Sequence, residues 1–340
     1  MTLAAANAQG TLSHISFDAT YLLPIRKSAP EDLSELGAYL EQLSRRIEVI
    51  VVDGSAPELF AAHAAIWPTC RHVAPDPILH MANGKARGVL TGLALASHDR
   101  VVIADEDVRY DLPSLTRTLS LLDDAEVVRP QNYFEPSPWH AKWDTARTLL
   151  NRALDGDWPG TLAVRRSVLE ATKGYDGDTL FENLELVRTV EAAGGRQAVP
   201  LDLLVARRPS SFRHFLSQRV RQAYDEFARP PRIAIQLSLL PATLLLLALR
   251  PRLLLPALLG SCLLAEYGRR RGDGTRVFSP VASLMAPLWL GERAVCSWLA
   301  LISRARFGGV RYHGDIVRKA ATPPAELRAR YGHLKAGEPR

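Results

Sequence analysis

Cysteine is scarce: Cys70, Cys262 and Cys296 lie far apart, with no CxxC pair. That spacing excludes zinc ribbons and thioredoxin-like chemistry and argues against a disulfide framework, so a reducing compartment is expected. No GxGxxG follows the first strand-like run, and no GxxxxGK stands before a serine or threonine, which removes the usual dinucleotide and P-loop cradles. HExxH and GxSxG are missing too, and nine scattered histidines form no ligand pattern. The first seventeen residues carry no positive n-region ahead of an apolar run, so no export signal is expected. The net charge is +6, but the basic residues form no stripe interleaved with aromatics, and no nucleic-acid partner is expected.

What is present is a chain of 340 residues, 47% hydrophobic and 23% charged, enough for a sizeable core. From Thr20 to Leu203 short β-branched runs alternate with amphipathic stretches, the pattern of βαβ units on a mainly parallel sheet. Tyr21 to Ile25 reads as the first strand, and Leu33, Leu36, Leu40 and Leu43 repeat at helical spacing behind Pro30-Glu31-Asp32. Glu48 to Val52 then runs straight into Asp53-Gly54-Ser55, as a strand covered on both faces does when it ends in a ligand-facing turn. Gly84 to Ala96 reads as a helix, Arg100 to Ala104 as a buried strand, Glu126 to Arg129 and Thr161 to Arg165 as strands, and Phe181 to Ala193 as a helix.

The apolar mass comes late. Ile233 to Leu249 and Leu253 to Ala265 are free of charge, separated by Arg250 and Arg252 and followed by Arg269, Arg270 and Arg271. This is the pattern of a membrane hairpin, although each arm falls short of the ~20 residues that cross a bilayer comfortably. A third stretch, Val277 to Ile302, holds Glu292 and Arg293, which could pair or lie at an interface. The expected organisation is an N-terminal extension (1–17), a catalytic domain (18–232), membrane-associated helices (233–303) and a basic C-terminal tail (304–340).

Asp105 and Asp107 stand at the end of a hydrophobic strand, where Asp105-x-Asp107 offers the hard oxygen ligands that magnesium or manganese shares with substrate phosphates. Asp53 ends another strand, and a carboxylate there can accept hydrogen bonds from a nucleobase imide or a ribose. Leu23-Pro24-Ile25-Arg26, Val51-Val52-Asp53-Gly54-Ser55, Asn83-Gly84-Lys85-Ala86 and Ile103-Ala104-Asp105-Glu106-Asp107 resemble, in order and spacing, the nucleotide-binding half of family 2 glycosyltransferases with the GT-A fold. Gly160 to Ser167, Gly174-Tyr175-Asp176 and Phe181 to Leu186 look like that family's acceptor half. Gln218-Arg219-Val220-Arg221 is similar to the QxxRW motif of its membrane-bound branch, which includes ceramide glucosyltransferase-like and polysaccharide synthase-like enzymes.

The resemblance implies an α/β GT-A domain, a mixed and mainly parallel sheet flanked by helices, with trailing hydrophobic membrane-associated helices. It implies that Pro24, Arg26, Asp53, Gly54, Ser55 and Lys85 hold the nucleotide, and that Asp105 and Asp107 bind the diphosphate through a divalent metal. Gln218, Arg219 and Arg221 would add donors and positive charge beside the leaving group or the acceptor. The activity implied is transfer of a sugar from a nucleoside-diphosphate donor, a UDP-sugar first, to a lipid or lipid-linked glycan acceptor. It would take place at the cell membrane, with the catalytic domain on the cytoplasmic side. Two departures stand out. Asn183 occupies the place of the family's usual aspartate base, which passes the expected base to Glu182, with Glu185 and Asp176 as competitors. Gln222 stands where the tryptophan of QxxRW would be. The alternative is a donor-binding pseudoenzyme or membrane scaffold that has lost its base.

Overall fold

The computed structural model describes residues 16–312 and 315–334. The first fifteen residues of the expected N-terminal extension, and residues 335–340 of the expected tail, lie outside the described residues. Four parallel strands form the heart of the molecule: β1 (Thr20–Ile25), β2 (Glu48–Asp53), β3 (Arg71–Val73) and β4 (Arg100–Ala104). A small second sheet uses β5 (Val108–Arg109). The main sheet continues with β6 (Val127–Val128), and β7 (Gln131–Phe134) belongs to the small one. β8 (Thr161–Arg165) pairs antiparallel with both β4 and β6, and β9 (Gln197–Ala198) closes the seven-stranded order β3-β2-β1-β4-β8-β6-β9. β10 (Leu204–Arg207) completes the second sheet, β5-β10-β7. The mixed, mainly parallel sheet expected from the sequence is therefore present, while the three-stranded sheet is a feature that the sequence pattern did not indicate.

Continuous apolar strands imply cover on both faces. On one face Leu36, Leu40 and Leu43 of the helix Ser34–Ser44 pack with Leu23 and Val51. On the other, Ala86, Val89 and Leu93 of the helix Gly84–Leu95 pack with Leu22, Ile50 and Val52. The strand read at Glu126 to Arg129 shortens to Val127–Val128, and Pro130, which has no N–H for a ladder, follows it closely.

The late apolar segments are helical. Pro230–Leu249 is one unbroken helix with Pro241 inside it, and Leu254–Arg270 extends the second arm beyond its apolar run. Among the described residues, Pro230–Leu249 alone is long and apolar enough to cross a membrane, with mean hydropathy 1.9. The third stretch divides into Pro280–Leu284 and Ala286–Phe307, the second helix starting with a proline in its first turn, where the missing N–H costs nothing. Glu292 and Arg293 do pair, at 3.5 Å, and both turn inward. Leu255, Leu259 and Leu263, at helical spacing, are exposed, as are Leu244, Leu245, Leu288 and Leu299.

The helices are fastened to the α/β layers at one end. Gly268 lies so close to the helix Trp139–Leu154 that a Cβ there would stand 1.9 Å from the Leu149 carbonyl oxygen. Arg152, buried, donates to the carbonyls of Leu201 (2.8 Å), Gly268 (3.3 Å) and Arg271, while Arg271 returns bonds to the carbonyls of Arg152 and Leu154. Beyond Phe307 the chain forms the hairpin β11 (Val310–Tyr312) and β12 (Asp315–Val317), then runs back under the helix Glu182–Ala192. There Leu180 and Phe181 donate their N–H groups to Lys319 and Ala320, and Thr322 donates its own to Glu185. The segment read as a basic tail is thus a strap on the α/β domain.

Candidate functional site

The turn that follows β4 carries Asp105, whose N–H donates to the Gly160 carbonyl at 2.7 Å. Gly160 has no room for a side chain, since a Cβ would stand 2.6 Å from Asp105 Oδ2. Opposite, Asn83 caps the helix Gly84–Leu95 by accepting from the N–H groups of Lys85 and Ala86, and it donates to the Thr179 carbonyl. This cap aims Lys85 at the strand ends. Its Nζ lies 2.5 Å from Asp105 Oδ1 and 2.7 Å from Glu182 Oε1, so the two acids are joined through one ammonium. Burial alone would lower the Lys85 pKa, but the Asp105 and Glu182 charges outweigh it and hold the group well above the ordinary lysine range. Arg207, from the end of β10, lies 2.6 Å from Asp107 Oδ2 and 3.6 Å from Asp105 Oδ2.

These groups open into a cavity of about 230 Å³. Lys85, Arg147, Arg207, Arg221, Arg229 and Arg293 face four acids there, Asp105, Glu182, Asp225 and Glu226, a surplus of positive charge that suits an anionic ligand. A second cavity of about 130 Å³ is lined by Asp107, Asp144, Gln218 and Arg219, and it shares Arg147, Arg207, Arg221 and Gln222 with the first.

Asp107 Oδ1 is buried and makes no hydrogen bond, and burial pushes this carboxyl up, with Arg207 opposing and Asp105 adding to the rise. Asp105 goes the other way: burial would raise it, but Lys85 and Arg207 hold it below the usual carboxylate range. An orphaned carboxylate oxygen beside a second carboxylate fits a hard divalent cation, which can take one or two protein carboxylates and fill its shell with substrate phosphates. Among the described residues no three His, Cys, Asp or Glu side chains converge as a metal cage.

Several expected site residues stand elsewhere than their motifs imply. Asp53 cannot meet a nucleotide through its carboxylate, a correction with a plain cause. Oδ1 accepts from the Ser55 N–H (2.9 Å), Oδ2 faces His63 Nδ1 (2.6 Å) and His72 Nε2 (3.1 Å), and the residue is 1% exposed. It orders the turn instead. The Gly54 N–H donates to the Ile25 carbonyl and the Lys27 N–H to Ser55 Oγ, so Pro24, Arg26, Gly54 and Ser55 do come together at the ends of β1 and β2, with Arg26 exposed. Arg219 is also diverted from the Asp105 cavity. It is buried, 3.0 Å from Asp144 Oδ1 and 3.6 Å from Glu292 Oε2, with its guanidinium 4.0 Å above the Phe215 ring. Gln218 accepts from Arg221 Nε at 2.6 Å, and Arg221 reaches both cavities.

Asn183 donates its amide to the Pro159 carbonyl at 3.0 Å, a bond that an ionised carboxylate could not make. Of the three acids offered in its place, Glu182 faces the cavity in its ion pair, while Glu185 accepts from the Thr322 N–H (2.6 Å) and Asp176 pairs with Lys319 (2.8 Å). Trp158 lines the cavity with Arg129 4.1 Å above its face, and Trp139, Trp143, Phe212 and Phe215 cluster on one another. Arg207, Arg147, Asp225, Arg229 and Arg293 carry no motif; Arg207 arrives through the pairing of β10 with β5, Arg147 on the helix Trp139–Leu154, and the others with the turn before the late helices and the return of those helices.

No protein-family model matches this sequence, and no curated protein matches it. Among solved structures, the chain is similar over 98% of its length to 87% of a mannosyltransferase from Pyrobaculum calidifontis, at 18% identity and a TM-score of 0.47. It is similar over 63% of its length to 79% of glucosyl-3-phosphoglycerate synthase from Mycobacterium tuberculosis, at 16% identity and a TM-score of 0.39.

Proposed function

We propose that this protein is a metal-assisted glycosyltransferase of the GT-A type, in the manner of family 2. It moves a sugar from a nucleoside-diphosphate donor to a lipid or lipid-linked acceptor at the cytoplasmic face of the cell membrane. The observation that carries the reading is the convergence of Asp105, Lys85, Arg207 and Arg221 on one cation-rich cavity at the carboxyl end of the sheet, where open α/β sheets hold their ligands. Lys85, Arg207 and Arg221 bind the diphosphate and offset the charge that gathers on it as the sugar departs. Asp105 and Asp107 would hold a divalent cation, which supplies Lewis-acid stabilisation to the leaving group when bound. An acceptor hydroxyl enters from the side of Glu182 and Asp225 and attacks the anomeric carbon in a single inverting displacement.

The acceptor class and the membrane are read from the helices. Exposed leucines on Pro230–Leu249, Leu254–Arg270 and Ala286–Phe307, such as Leu244, Leu255, Leu263 and Leu288, support an apolar surface that meets lipid. Arg271 donates to the Arg152 carbonyl of the α/β domain, which supports a basic hairpin end on the same side as the cavity, in line with the preference of positive loops for the cytoplasmic face.

Titration calorimetry with UDP-glucose and GDP-mannose, with and without Mn²⁺, tests the donor site, and these two are chosen because the similar structures were solved with them. Binding that requires Mn²⁺ is expected, followed by nucleoside-diphosphate release when vesicles of a total bacterial lipid extract are added. Folded protein that binds neither donor sinks the reading.

A further inference from the structure

We propose that Asp225 is the general base that receives the proton of the acceptor hydroxyl, the task that the amide of Asn183 cannot perform. The proposal rests on the glycosyl-transfer reading above. Asp225 opens the short turn Asp225–Ala228, between the helix Arg219–Tyr224 and the apolar helix Pro230–Leu249. It lines the same cavity as Lys85, Asp105 and Glu182, and its Oδ1 is buried with no hydrogen-bond partner. A buried carboxylate oxygen without a donor is costly, and its retention in a ligand cavity points to a hydroxyl that arrives with the substrate.

The other acids are worse placed. Glu182 Oε1 is held by the Lys85 ammonium and Glu226 by Arg229 and Arg232, while Glu185, which accepts from Thr322 and has its Oε1 orphaned too, and Asp176, paired with Lys319, do not line the cavity. The charged groups that face Asp225 are Arg221 from one helix, Glu182 from another, Glu226 on its own turn and Arg229 at the head of the next helix, with Arg147 and Arg293 across the cavity. Burial pushes the Asp225 carboxyl up to about 6, with Arg221 opposing and Glu182 and Glu226 adding to the rise. A carboxylate so placed is ionised at neutral pH and is a stronger base than an exposed one.

The step balances without a further reactant. As the acceptor oxygen bonds to the anomeric carbon, its proton passes to Asp225. The bond between that carbon and the diphosphate oxygen breaks, and its electron pair leaves with the nucleoside diphosphate. Asp225 then returns the proton to water.

The test measures nucleoside-diphosphate release by the full chain from whichever of UDP-glucose or GDP-mannose the wild type consumes, with Mn²⁺ and vesicles of a total bacterial lipid extract. Asp225→Asn should lower turnover by ~10²–10⁴, the usual worth of a general base, while the donor Kd changes less than about twofold. Asp225→Glu should recover part of the loss. The wild-type kcat should fall below pH ~6, and that acid limb should vanish from the residual activity of Asp225→Asn but persist in Glu182→Gln. If Asp225→Asn does not fold, Asp225→Ser takes its place, and a wild-type acid limb that survives unchanged in either variant overturns the proposal. Near-native turnover in the Asn or Ser variant, or loss of the acid limb in Glu182→Gln instead, also overturns it and leaves the transfer reading intact. A wild type that binds and consumes neither donor removes both readings.

Discussion

At the scale of single residues, Asp105 and Asp107 share one strand end but sit in different electrostatic settings, the first held ionised by Lys85 and Arg207, the second pushed up by burial. Asp105→Asn and Asp107→Asn should each weaken Mn²⁺-supported donor binding at least tenfold in calorimetry. Unchanged affinity in both would make them ordinary turn residues. Asp144 offers a test of stability. Burial alone would raise its carboxyl, but Arg219 and Arg147 bring it down to about 2. A carboxyl depressed on folding stabilises the native state above its unfolded pKa, so about 2 kcal/mol should be present above pH ~4 and lost as the pH falls toward 2. Denaturant unfolding between pH 2 and 6 reads this slope. Arg219→Met, which leaves Asp144 buried without its closest cation, should cost ~3–5 kcal/mol. Lys85, Asp105 and Glu182 were legible in the sequence because each belongs to a local motif beside a strand or helix end. Asp225 and Arg207 were not, because nothing local marks them: one opens a turn between helices, the other depends on pairing across about a hundred residues of chain. Asp53 was legible as a strand-end acid but misread in its role, since the two histidines that enclose it come from a helix and an edge strand whose approach no spacing announces.

At the scale of elements, continuous apolar runs located three of the four parallel strands, β1, β2 and β4, and helical periodicity located the covering helices Ser34–Ser44 and Gly84–Leu95, each within a residue or two. The strands missed were short: β3, β5, β7, β9 and β10 hold two to four residues each, and β5, β7 and β10 exist through pairing with one another, while the helices Pro57–Ile66, Leu112–Leu121 and Trp139–Leu154 were not read either. The third apolar stretch was read as continuous, whereas Met285 separates two helices there. Leu255 is 64% exposed and Leu263 70%, on one face of the helix Leu254–Arg270. Replacing both by glutamate should release the protein from lipid vesicles into the supernatant on flotation, because each buried leucine side chain contributes ~1.5–3 kcal/mol to the partition. A double variant that floats with the vesicles as the wild type does would show that this face does not meet the bilayer.

At the scale of the whole molecule, the α/β layers, the apolar helices and the strap form a closed circuit. The chain leaves the cavity at Asp225, passes through the helices, and comes back beneath the helix that carries Glu182 and Glu185. Removing residues 308–340 should therefore damage the α/β domain. Glu185, buried, and Asp176, half-buried, lose their partners Thr322 and Lys319, and the melting temperature should drop by several degrees, with ~1–3 kcal/mol from the buried Glu185 left unsatisfied. A truncated chain that melts with the full-length protein would show that the strap carries no stability. The strap also sets an order in time. A ribosome releases the residues around Thr322 only after all the apolar helices have emerged, so the acid-bearing helix at the cavity is clamped last. The nascent chain stays without a finished cleft until its apolar helices have already been made.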